Sequence, residues 1–118
     1  MLLNIARFRV DVFAEARRIF GAGNIEFAVP EQVLAEMEKL SGKSMKLKKE
    51  ISIARELMAK NGAKTGKIDA RGADEALKKL AVKGAIVATN DKELKDSVRE
   101  LNGKVLCLRQ SKFLVLLE

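Results

Sequence analysis

Val12, Phe13, Ala16, Ile19 and Phe20 recur at the spacing that gathers side chains onto one face of a helix. Gly21-Ala22-Gly23-Asn24 ends that helix with turn chemistry, and Ile25-Glu26-Phe27-Ala28-Val29 reads as a short strand. Pro30 stands where a helix can begin, and Val33, Leu34, Met37 and Leu40 supply the inward stripe of a helix over residues 31–40, closed by Ser41-Gly42. A third helix over residues 45–59 turns Ile51, Ala54, Leu57 and Met58 inward and leaves its basic first half to solvent, with Asn61-Gly62 after it.

The second half alternates more tightly. Residues 63–72 are polar and weakly patterned, a loop with at most a short strand, before a helix over 73–82. Residues 85–88 read as a buried strand and residues 92–101 as a helix with Leu94, Val98 and Leu101 inward. Asn102-Gly103 precedes a strand over 105–108, and Gln110-Ser111 breaks the chain before Phe113-Leu114-Val115-Leu116-Leu117, a last strand at a sheet edge. Strands alternating with helices predict an α/β fold on a parallel sheet, in one domain spanning residues 1–118. An exposed edge strand makes a homodimer an expectation.

Composition narrows the chemistry. The chain has no His, Tyr or Trp and a single Cys, which removes most acid-base and nucleophile constellations and leaves carboxylates, with a metal, as the candidate catalysts. Cys107 lies in Val105-Leu106-Cys107-Leu108 and reads as a small buried hydrophobe, with no His to activate its thiol. A net charge of +7 favours an anionic partner, nucleic acid first. Lys43, Lys46, Lys48 and Lys49 form the densest basic stretch and the candidate RNA-binding surface, and Arg7, Arg9, Arg17 and Arg18 form a second cluster. All five aromatic residues are Phe and none interleaves with these clusters, which argues against a base-stacking platform. No apolar run approaches the roughly 20 residues of a membrane span, so a cytoplasmic protein is expected. No Gly-rich phosphate loop of the Walker type is present.

The run Gly84-Ala85-Ile86-Val87-Ala88-Thr89-Asn90-Asp91 delivers a carboxylate from a strand to the start of a helix. Helical angles sort the other acids. Glu36 lies about 60° from Val33 and borders the apolar stripe, whereas Glu31 and Glu38 fall on the far side. Asp74 sits in a first turn beside Ala73, Leu77 and Leu80, with Glu75 opposite; Asp91 projects with Leu94 and Val98, while Asp96 and Asp11 face outward. Each candidate also has a plainer role: Glu36 as a solvated helix residue, Asp74 as a partner of the helix dipole, and Asp91 beside an Asn90/Glu93 capping box. Taken together they are more persuasive: Asp74 and Asp91 come from helix starts next to parallel strands, the carboxyl edge where open α/β folds collect ligands, and like charges gathered there need a cation.

The segments Val29-Pro30-Glu31-Gln32-Val33-Leu34-Ala35-Glu36-Met37-Glu38, Ala73-Asp74-Glu75-Ala76-Leu77 and Val87-Ala88-Thr89-Asn90-Asp91 resemble, in order and spacing, the acidic motifs of PIN-domain ribonucleases. The likeness covers nearly the whole chain and is nearest to archaeal PIN proteins related to ribosomal-RNA processing nucleases, which also end in a segment like Val105-Leu106-Cys107-Leu108-Arg109-Gln110-Ser111-Lys112. It implies a three-layer α/β/α fold with a central parallel sheet. It implies a metal-dependent endoribonuclease that uses Mg²⁺ or Mn²⁺ to activate water against an RNA phosphodiester. Glu36, Asp74 and Asp91 would be catalytic metal ligands, supported by Thr89 and Asn90. An antitoxin or a ribosome-assembly protein would be a further partner. One element of the family pattern is missing: an opening central strand ending in an Asp-Thr-Asn type motif, whose Asp is a ligand. Met1-Leu2-Leu3-Asn4 is similar to the residues that follow that motif. Two expectations follow. Either an in-frame codon upstream precedes a strand and Asp-Thr-Asn, or the chain is a degenerate member that serves as a catalytically inactive RNA-binding or assembly module.

Overall fold

In the computed structural model, which describes residues 1–118, six helices and five short strands follow one another. They are α1 (Asn4–Phe8), α2 (Val12–Phe20), β1 (Ala28–Pro30), α3 (Glu31–Ser41), α4 (Met45–Lys60) and β2 (Lys64–Gly66). After these come α5 (Ala73–Val82), β3 (Val87–Ala88), α6 (Lys92–Glu100), β4 (Val105–Arg109) and β5 (Phe113–Leu117). Local chemistry sets several of these starts. Asp11 caps α2, its Oδ1 accepting from the N–H of Phe13 at 3.1 Å and of Ala14 at 3.0 Å, and Ser44 Oγ accepts from Leu47 N–H at 3.1 Å to open α4.

Two strands are shorter than the sequence predicts, for identifiable reasons. The expected strand 25–29 is ordered as a ladder only from Ala28, because its partner β2 offers just three residues, in the parallel register Ala28↔Lys64, Val29↔Thr65 and Pro30↔Gly66. The expected buried strand 85–88 keeps only Val87 and Ala88. Gly84 takes a φ of +100° at the end of α5, and the Ala85 N–H returns to the Leu80 carbonyl at 3.0 Å, so the helix terminus consumes the first residues of the strand.

The strands fall into two hydrogen-bonded sheets, and the parallel pairing expected from the sequence is present in both. One is β1 beside β2; the other is ordered β3-β4-β5, with β3 parallel to β4 but β5 antiparallel. Gln110 and Ser111 both hold φ near +55°, and Lys112 N–H returns to Arg109 O at 3.1 Å, a tight turn that sends β5 straight back along β4. No ladder joins β1 to β3. Residues 1–27 hold turn, α1 and α2, with no strand among them.

The β3-β4-β5 sheet lies between two helical layers, and β1 shares the core of one of them. On one side Ile5, Val10, Val12, Phe13, Ala16, Met37, Ile51, Ala54 and Met58 pack with Val29, Leu106 and Leu114 in a single core. Phe13 and Phe27 meet edge to face at 4.8 Å, with Arg17 stacked 5.0 Å over the Phe27 ring. On the other side Ala81, Leu94 and Val98 close over Val87, Val105 and Cys107. Cys107 is thus the small buried hydrophobe that its neighbours in sequence suggest. Gly103 makes the tight approach possible, since a Cβ there would lie 2.7 Å from Val98 Cγ1. The helix α5 packs against β1 and β3 alike, and so spans the break between the sheets.

Candidate functional site

The site grows from three strand-to-helix steps. After β3, Thr89 is buried and its Oγ1 accepts from the N–H of Asp91 at 3.2 Å, fixing the turn. Asp91 is itself the N-cap of α6: Oδ1 accepts from Leu94 N–H at 3.0 Å, which leaves the second oxygen without a protein partner. The expected capping box of Asn90 with Glu93 does not form. Asn90 instead reaches sideways, its Oδ1 accepting from Leu108 N–H at 2.8 Å, and so pins the turn to β4.

After β2, a loop leads to Asp74 in the first turn of α5, where an acid meets the positive end of the helix dipole. Asp74 is exposed and makes no ion pair, whereas Glu75 does: it accepts from Arg71 N–H at 3.3 Å and Arg71 Nε at 3.4 Å, and lies 3.7 Å from Lys79 Nζ. Those donors hold the Glu75 carboxyl below its ordinary pKa, the Arg71 backbone N–H contributing most. Glu36, after β1, is exposed on α3 beside the buried Met37 and makes no ion pair. Its border position resolves toward solvent rather than toward the sheet.

Sequence reasoning missed Gln32. On the first turn of α3 its Nε2 donates to the carbonyls of Ile68 at 2.5 Å and Ala70 at 3.2 Å, tying the loop before Asp74 to the helix that carries Glu36. Its Oε1 is buried without a partner. No sequence signal marks this contact, because the partners are backbone carbonyls far along the chain. The lysines fall elsewhere. Lys46, Lys48 and Lys49 are exposed in the first turns of α4 and Lys43 just before it; Lys48 and Lys49, with Ser52 and exposed Met45 and Ile53, line a shallow groove of about 410 Å³.

The helices bearing the three acids abut in series, since α3 packs on α5 and α5 on α6. The carboxylates themselves do not converge. A hard divalent cation takes six or more oxygen ligands at about 2.0–2.6 Å, and no three Asp, Glu, Cys or His side chains stand close enough together to hold one. The acids present therefore do not by themselves fit a metal ion. Glu36 follows one sheet and Asp91 the other, and all three carboxylates are exposed to solvent.

A family model described as PIN like domain matches residues 1–111. The chain belongs to the PIN-like domain family. No curated protein and no solved structure matches it. Membership gives the α/β architecture a known class, a nuclease-type fold, and divalent metals are in general use across PIN domains. No helix of this PIN-like chain is long and apolar enough to cross a membrane.

Proposed function

We propose that this PIN-like chain is an endoribonuclease, cutting RNA phosphodiester bonds with metal-dependent chemistry that draws on Glu36, Asp74 and Asp91. The observation that carries the reading is placement. Within a nuclease-type family, three acids free of ion pairs follow the ends of β1, β2 and β3 on helices that pack side by side. As they stand, no three acidic side chains lie together in a group that could hold a cation. What the chain's own groups do is narrower. Thr89 and Asn90 fix the turn, the Leu94 N–H orients one oxygen of Asp91, and the other stays free to accept from water. Lys43, Lys46, Lys48 and Lys49 offer cations to the phosphate backbone. Ribosomal-RNA processing and the toxin role of a toxin–antitoxin pair both suit this chemistry, and a small-protein gene directly upstream would favour the toxin.

The missing convergence of acids supports a second reading, an RNA-binding or assembly module without catalysis. One experiment separates the two: Mn²⁺-dependent cleavage of a short single-stranded RNA, with binding of the same RNA measured alongside. The nuclease gives cleavage that Asp74→Asn abolishes while binding persists. Binding without cleavage in either protein would overturn the nuclease and leave the module. Cleavage unchanged by Asp74→Asn would remove Asp74 from the site.

A further inference from the structure

The outer edge of β5 carries a device that the function above does not use. In the ladder with β4, Phe113, Val115 and Leu117 face Arg109, Cys107 and Val105. Backbone groups alternate in direction along a strand, so those of Leu114 and Leu116 point away from β4. Both groups of Leu114 are engaged, and by side chains. Its N–H donates to Glu15 Oε1 at 3.1 Å, and its carbonyl accepts from Arg18 Nη2 at 3.2 Å. The two side chains are locked to each other as well, Arg18 Nε donating to Glu15 Oε2 and Nη2 to Oε1, both at 3.1 Å. One acceptor and one donor, presented side by side from α2, reproduce what a residue of a neighbouring strand would offer. Leu116 receives no such cover.

The strand beneath this cover has none of the usual safeguards of a sheet edge. Phe113-Leu114-Val115-Leu116-Leu117 contains no charge, no proline and no bulge. The cover is thin, with 56% of the Arg18 side chain and 22% of Glu15 exposed. We propose that the β5 edge is a self-association surface held shut by the Glu15–Arg18 fork, and that a second copy of this chain occupies it, β5 against β5, when the fork is withdrawn. The strand fits itself. Antiparallel pairing about a two-fold axis at Val115 sets Leu114 opposite Leu116 of the second copy, matching the outward-pointing groups of both. The same register sets Lys112 opposite Glu118 of the second copy, twice, so the ends are complementary in charge. Glu118 lies 3.6 Å from Lys104 Nζ in the single chain, an exposed pair that rearranges readily.

The test is molar mass by size exclusion with light scattering at matched concentration, joined to hydrogen exchange. The native chain runs as a monomer with a fast-exchanging Leu116 amide. The double variant Glu15→Ala/Arg18→Ala doubles in mass and its Leu116 amide slows. Adding Leu116→Pro removes the outward donor without touching a bond to β4 and returns the mass to that of one chain. A double variant with a native circular dichroism spectrum that stays monomeric would overturn the proposal, as would a dimer whose Leu116 amide remains fast. Should the double variant fail to fold, Arg18→Ala alone carries the test, since Glu15 keeps its bond to the Leu114 N–H. A smaller shift toward dimer is then expected, and a folded variant with unchanged mass overturns the proposal.

Discussion

The two sheets of this chain are built on different terms. In β3-β4-β5 the strands are apolar but for exposed Arg109 at the end of β4, and Val105, Leu106, Cys107 and Leu114 are buried with helices on both faces. In β1-β2 only β1 is apolar; Lys64, Thr65 and Gly66 are all exposed, and the strand is held through its backbone and an exposed pair of Lys64 with Glu26. Burial of apolar area therefore stabilises one sheet, while the other depends on packing that β1 alone makes with α3 and α5. The acids are divided between them. Asp91 follows the robust sheet, while Glu36 and Asp74 follow the slight one.

The contrast can be tested by substitution, beginning with the strongest effect. Leu106→Ala, which opens a cavity beneath β4, is expected to destabilise the chain by about 2–5 kcal/mol, read from chemical denaturation. An effect below about 1 kcal/mol would mean that β4 is not the stabilising centre. Acid titration gives an intermediate effect. Glu15 is held below its ordinary pKa chiefly by the Arg18 hydrogen bond, helped by the Leu114 N–H and opposed by partial burial. A lowered folded pKa contributes stability that is present above the unfolded carboxyl value of about 4.3 and is lost as pH falls through the folded value. Glu15→Gln should therefore flatten the stability profile in that acid window. Glu26 is also lowered, by Lys64, but is solvent-exposed, and Glu26→Gln should leave the profile unchanged. The smallest effect belongs to β2: Thr65→Ala should move stability by no more than about 0.5 kcal/mol. A larger loss would show that the slight sheet is more firmly held than its exposure suggests.

Much of this architecture was legible in the residues. Helical stripes such as Val33, Leu34 and Met37, or Leu94 and Val98, located α2 to α6 because burial on one face leaves a periodic trace. Strand extents were less legible, since a strand lasts only as long as its partner, and neither the brevity of β2 nor the diversion of Ala85 to α5 shows in local pattern. The reversal of β5 was hidden in the backbone angles of Gln110 and Ser111, residues that read only as a break. At the site, the positions of Asp74 and Asp91 at helix starts followed from sequence. The clamps did not: Gln32 on Ile68 and Ala70, Asn90 on Leu108, and Glu15 with Arg18 on Leu114 all bind backbone groups of distant segments, for which side-chain pattern carries no information. The Arg7 Nε contact with buried Glu50 Oε2, at 2.7 Å between α1 and α4, joins two side chains 43 positions apart, a separation that local pattern does not bridge.

The Asn90 contact has a dynamic consequence. Because the amide oxygen of Asn90, just past β3, holds the Leu108 N–H near the turn of the β4–β5 hairpin, the turn bearing Asp91 is tied to that hairpin. Order at the acid and cohesion of the hairpin therefore belong to one cooperative unit of local unfolding. Warming or denaturant that frays β4 would release the carboxylate in the same event, and the exchange rates of the Leu108 and Asp91 amides would rise together.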